Sequence, residues 1–148
     1  MDAAISRGAG ERVKYRKAWC RIMKSLVIAE KPSVGRDIAR VLNCRQGGDG
    51  YLEGKDYVVT WALGHLVELA DPESYGEQWK EWKMETLPML PERLEIQVIK
   101  KTGHQYQTVR KQMYRKDIGE IIIATDAGRE GELVARWIIQ KSGVKKPM

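Results

Sequence analysis

The sequence predicts an α/β fold: a mostly parallel central sheet flanked by helices. Two short runs, Leu26–Ala29 and Ile121–Ala124, are wholly apolar, the pattern of strands buried on both faces. Each run leads into a turn dense in charge and then into a helical period. A chain of 148 residues with 43% apolar and 31% charged residues is long enough for one domain with a real core. Open parallel sheets form their sites beyond the carboxyl ends of the strands, and both charged turns fall there.

Residues 1–23 show neither helical nor strand period, and Gly8 and Gly10 interrupt them. They read as a flexible basic extension ahead of a single domain over 24–148, the alternative being a basic arm on a phosphate backbone. Leu26–Ala29 is the first strand. Pro32 suits the first turn of the helix that follows, with Val34, Ile38, Val41 and Leu42 as its apolar face. Gly47–Gly50 reads as a loop, and Tyr51-Leu52 and Tyr57–Trp61 as two strands joined by the turn Glu53-Gly54-Lys55-Asp56. Gly64-His65-Leu66 follows the second of these. Residues 71–92 hold Pro72, Pro88 and Pro91 with Trp79 and Trp82, an irregular ordered connection with room for one short helix. Leu94–Ile99 alternates weakly as a strand. Gln105–Arg115 is helical with Tyr106, Val109 and Met113 on one face. Ile121–Ala124 is the second buried strand, and Gly131–Gln140 the helix after it, with Leu133, Trp137 and Ile138 turned inward.

Composition narrows the function. No run approaches the roughly 18 apolar residues of a membrane span, and the N-terminus has no apolar h-region. Cys20 and Cys44 match no metal spacing and are too few for a disulfide framework. A reducing, cytoplasmic setting fits. The formal net charge is +6, but residues 1–24 carry seven basic and two acidic residues, leaving only +1 for 25–148. The overall basicity is therefore no argument that the folded part binds nucleic acid.

The most informative stretch is Thr125-Asp126-Ala127-Gly128-Arg129-Glu130-Gly131-Glu132, three carboxylates and an arginine between a strand and a helix. Asp126 and Glu130 can share one space above the sheet, and hard oxygen ligands grouped this way suit Mg²⁺. The plainer reading is that Glu130 and Glu132 favour a positive helix N-terminus. Glu30-Lys31 holds the matching place after the first strand. Glu30 there can bind metal or act as a general acid or base, and Lys31 and Arg129 can neutralise a phosphate; salt bridges closing a crowded strand end are the even alternative. His65, alone after a strand, is more often a packing residue than a catalyst, and His104 reads as a surface residue at a helix start. Lys100, Lys101, Arg110, Lys111, Arg115 and Lys116 form a basic stretch able to meet a nucleic-acid backbone, with a solvated helical face as the plainer reading.

Three ordered segments, Leu26-Val27-Ile28-Ala29-Glu30-Lys31-Pro32-Ser33, Val59-Thr60-Trp61-Ala62-Leu63-Gly64-His65-Leu66 and Ala124-Thr125-Asp126-Ala127-Gly128-Arg129-Glu130-Gly131-Glu132, resemble the opening of bacterial type IA DNA topoisomerases of the topoisomerase III kind. The resemblance runs from about Met23 to the end of the chain. It implies a Rossmann-like Toprim domain. It implies further that Glu30 stands near the scissile phosphate as acid/base or metal ligand, that Lys31 contacts that phosphate, that Asp126 and Glu130 hold Mg²⁺, and that His65 contacts DNA; Arg129 joins the DNA-binding set on its charge alone. Where the family carries a second aspartate, this sequence has Gly128. The family's nucleophilic tyrosine lies in a downstream domain, and none of the six tyrosines here falls in a matching motif.

The expectation is thus a Toprim domain lacking its last strand. It would hold Mg²⁺ and position a single-stranded DNA segment for cleavage and religation by the remaining domains of a cytoplasmic, nucleoid-associated topoisomerase, and would be inactive alone. The rivals are a Toprim nuclease or primase domain, and a metal-free phosphate- or protein-binding α/β module.

Overall fold

The computed structural model describes residues 23–148, so the extension expected over 1–23 lies, but for Met23, outside the described residues. Among the described residues, seven strands and three α-helices are formed in the order β1 (Lys24–Ala29), α1 (Pro32–Val41), β2 (Gln46–Gly48), β3 (Tyr51–Glu53), β4 (Tyr57–Trp61), β5 (Val67–Leu69), β6 (Ile96–Val98), α2 (Gly103–Met113), β7 (Ile118–Ala124) and α3 (Arg129–Ser142). A five-stranded sheet has the order β2-β3-β4-β1-β7. β1 is parallel to both β4 and β7, whereas β2 and β3 join as antiparallel strands on the β4 side. The expected α/β fold with a mostly parallel sheet core is the observed one.

Alternation along β1 builds two cores. Leu26 and Ile28 point into a cluster with Val58, Ile121, Val109, Met113, Val134 and Ile138, which seats α2 and α3. Val27 points the other way, with Val59, Ala39 and Cys44, under α1. All four residues Leu26–Ala29 are buried, as expected of a central strand. β7 departs from that expectation. Ile121 is buried, but Ile122 is 38% exposed, because α1 sits over β1 and β4 and leaves β7 uncovered on that face.

The helices correct the sequence reading in two places. On α1, Val41 is 79% exposed and Val34 is also exposed, while Gly35 and Ala39 are the buried pair. The contact is made by small residues because the helix lies close to the sheet: a Cβ on Gly35 would come within 2.6 Å of the Trp61 ring. On α3, Ile138 is buried and Trp137 packs against the same core as expected, but Leu133 is 42% exposed, and Val134, Ala135 and Ile139 complete the buried face. α2 buries Tyr106, Val109 and Met113 as expected.

Two short strands and the form of the long connection differ from the expectation. Gln46–Gly48, expected as part of a loop, pairs with β3. Val67–Leu69 pairs antiparallel with Ile96–Val98 as a separate two-stranded sheet. The connection between them carries three single 3₁₀ turns, at Pro72–Ser74, Glu77–Trp79 and Met84–Thr86, rather than one helix. The outer edge of β7 is met by the C-terminal segment, where the Ile121 N–H donates to the Pro147 carbonyl at 2.9 Å.

An ion-pair clamp closes the end of the sheet remote from the charged turns. The Arg115 guanidinium donates to both carboxylate oxygens of Glu53, each at 2.8 Å, and to both of Asp117. Lys24 adds an ammonium to Glu53. Arg115, with the Lys24 ammonium beside it, holds the Glu53 carboxyl down at about 2, and the same guanidinium lowers Asp117.

Candidate functional site

Register places the site. Ala29 pairs with Ala124 at the last step of the parallel β1–β7 ladder, so the two charged turns leave the sheet side by side. Glu30 follows Ala29, and its Oε2 accepts the backbone N–H of Asp126 at 3.3 Å. The turn after β4 joins them: the Ala62 N–H donates to the Ala29 carbonyl at 2.8 Å, and the Gly64 N–H to the Glu30 carbonyl at 3.2 Å. Three strand ends are thereby stitched around Glu30.

Glu30 is largely withdrawn from water, its side chain 18% exposed, while Lys31 beside it is 61% exposed, with its Nζ 4.0 Å from Glu30 Oε1. Lys31 is the N-cap of α1, in extended conformation, and Pro32 opens the helix. His65 is exposed on the turn tied to Glu30. Asp126, Arg129 and Glu130 are exposed at the start of α3. Gly128 caps that helix with ordinary extended geometry (φ −91°, ψ 164°), and Glu130 and Glu132 lie in its first turn. Glu132 is drawn along the helix by Arg136, four residues on, at 2.7 Å. Gly131 lets the helix close on its own turn, because a Cβ there would collide with the Asp126 carbonyl.

Glu30, Lys31, His65 and Asp126 are thus brought to one end of the sheet from three separate segments, while Arg129 and Glu130 stand on the first turn of α3. Among the described residues, no three His, Cys, Asp or Glu side chains are grouped closely enough to hold an ion between them. The acids offer an open arrangement rather than a closed cage. Thr125 was not singled out in the sequence. Its Oγ1 is buried without a hydrogen-bond partner among the described residues, one residue before Asp126. A threonine ending a strand carries no sequence signal of this; only the packed turn isolates the hydroxyl.

The donor chemistry fits a hard cation. Mg²⁺ takes one or two carboxylates and keeps several waters. Glu30 and Asp126 supply carboxylates on adjoining strand ends.

A sheet of this order flanked by helices is a Rossmann-like α/β domain, and the sequence family agrees. The chain matches the Toprim domain over residues 25–147, and it belongs to that family. Over 125 residues it is 64% identical to DNA topoisomerase 3 of Bacillus subtilis (strain 168) and 68% identical to DNA topoisomerase 3 of Bacillus anthracis. DNA topoisomerase 3 of Bacillus licheniformis is 65% identical over the same length. Each match covers 84% of this chain but 17% of the relative. The chain therefore spans about a sixth of the length of the curated relatives it matches. Among the described residues, no helix is long and apolar enough to cross a membrane.

Proposed function

We propose that this Toprim domain serves a type IA DNA topoisomerase, where it holds Mg²⁺ and positions the scissile phosphate of a single-stranded DNA segment. The observation that carries the reading is the bond from the Asp126 N–H to Glu30 Oε2 at 3.3 Å. It ties the acid after β1 to the acid after β7 in front of two parallel strand ends. Glu30, partly shielded and beside the exposed ammonium of Lys31, is suited to pass a proton to or from a phosphate-ester oxygen. Lys31 neutralises that phosphate, and His65 and Arg129 meet the flanking backbone. Asp126 and Glu130 would hold the metal, with Glu30 alongside. Bound there, Mg²⁺ would stabilise negative charge on the phosphate. A tyrosine in another domain of the parent enzyme would attack the phosphorus, and the DNA oxygen that leaves would take up a proton; religation reverses the exchange.

The test is a Mg²⁺ titration of this chain by calorimetry and amide chemical shifts. Weak, saturable binding is expected, with shifts concentrated at Glu30 and Thr125–Glu130, and Asp126→Asn should weaken it about tenfold or more, as loss of a carboxylate ligand demands. Equal binding by wild type and variant would defeat the assignment.

A further inference from the structure

We propose that the exposed side of α2 is a second nucleic-acid surface, distinct from the metal end of the sheet, that takes the backbone and bases of a single strand. Between Lys100 and Lys116 there are six basic residues and no acid. Arg115 is spent on ion pairs with Glu53 and Asp117, while Arg110 leans on the Tyr114 ring and keeps its charge free of any carboxylate among the described residues. Arg110, Lys111 and Lys116 are exposed, and none of the three is paired with a carboxylate among the described residues.

These side chains line shallow, open ground. Two hollows, of about 420 Å³ and about 620 Å³, share Lys111 and Arg115 and so adjoin along one side of the helix. The first reaches His104 and Asp49, whose side chains lie 3.4 Å apart and whose carboxylate is the one acid in the groove. The second is lined by Gln107, Arg110, Tyr114 and Lys116 as well as the shared pair.

Tyr114 selects the kind of ligand. It is 51% exposed, and its hydroxyl is fixed on the Ser142 carbonyl at 2.8 Å. The Arg110 guanidinium lies over its ring at 5.1 Å from the centroid. A rigidly held aromatic in a basic groove is the pairing that binds unpaired bases by stacking while cations track the phosphates. A duplex hides its bases and would use the cations alone.

The location separates this surface from the acids. Gln105, near the start of α2, donates to the Trp61 carbonyl at 2.8 Å, at the site end of β4. Arg115, just past the helix, reaches Glu53 and Asp117 at the opposite end of the sheet. Tyr114 and Lys116 therefore lie away from Glu30 and Asp126. A strand along α2 would run from the neighbourhood of the site toward its far end.

The test is anisotropy of a labelled oligothymidylate with the whole chain, in EDTA, so that the metal site takes no part and its failure is read separately in the Mg²⁺ titration. Arg110→Ala with Lys111→Ala should weaken binding at low salt about tenfold or more and reduce the slope of log affinity against log salt by about 1.4, for two phosphate contacts. Tyr114→Leu should weaken binding about tenfold and leave the slope unchanged; Tyr114→Phe, which keeps the ring, should bind nearly as wild type. Circular dichroism confirms that each variant is folded. Unchanged affinity in the double variant would overturn the proposal and assign binding to other cations, those of residues 1–24 included. Tighter binding of duplex than of single strand would overturn it too, as would binding of anionic phospholipid vesicles through Arg110 and Lys111 with none of the oligonucleotide.

Discussion

Gly128 illustrates how a single position tunes the site. A Cβ there would meet nothing within 4 Å, and its φ of −91° suits any residue. The family's second aspartate is therefore absent for no steric reason. Gly128→Asp should fit, cap α3 and add a carboxylate beside Asp126. Without metal the added negative charge opposes the gain from the cap. With Mg²⁺ the balance reverses, and the affinity should rise about tenfold, or about 1.4 kcal/mol. Thermal melts with and without Mg²⁺ check this: the metal-induced rise in Tm should be larger in the variant. At this scale the meeting of Glu30 and Asp126 at the candidate site was legible, because each is the first acid after an apolar strand. The isolation of the Thr125 hydroxyl was not legible, since burial of a single side-chain oxygen leaves no trace in residue order.

Elements were legible to the degree that one face decides their pattern. β1 is covered on both sides and reads as a solid apolar run; α2 packs one regular stripe on the sheet and was read with its face intact. α1 misled because the sheet is met by Gly35 and Ala39, and the larger Val34 and Val41 face outward. Strands of three residues, β2 and β5, are too short to show a period; their partners define them. The Glu53 clamp is likewise invisible in sequence, since it draws on β1, β3 and the turn before β7. It has a pH consequence. Glu53 titrates near 2 in the fold against an ordinary 4.5, so its carboxylate stabilises the fold fully above about 4.5, and that contribution is lost as pH falls toward 2. The lowered Asp117 acts in the same sense. Glu53→Gln should cost about 2 kcal/mol at neutral pH, the scale of charged hydrogen bonds left unmade. Urea midpoints measured at pH 7 and pH 3 should converge between wild type and variant; a constant gap would remove the clamp from the account.

For the whole molecule the dominant feature is uneven charge. Residues 1–24 carry +5 of the formal +6. Phosphate affinity through counterion release scales with the cations engaged, so a large share of single-strand binding at low salt should depend on that segment. A chain beginning at Met23 should bind oligonucleotide more weakly, with a shallower salt dependence, as measured by titration across salt concentrations. Equal affinity of both chains would put the binding wholly on the folded surface.

The Asp126 N–H bonded to Glu30 also makes the acid a mechanical part of the turn it faces. A proton or cation bound at either oxygen would draw on the same negative charge that holds this amide. Whatever neutralises Glu30 weakens the fastening between the first and last parallel strands, and whatever restores its charge tightens it. The peptide link at Asp126 is thus a built-in gauge of the charge on Glu30, and any chemistry that discharges that carboxylate is felt as slack in the loop that leads into α3.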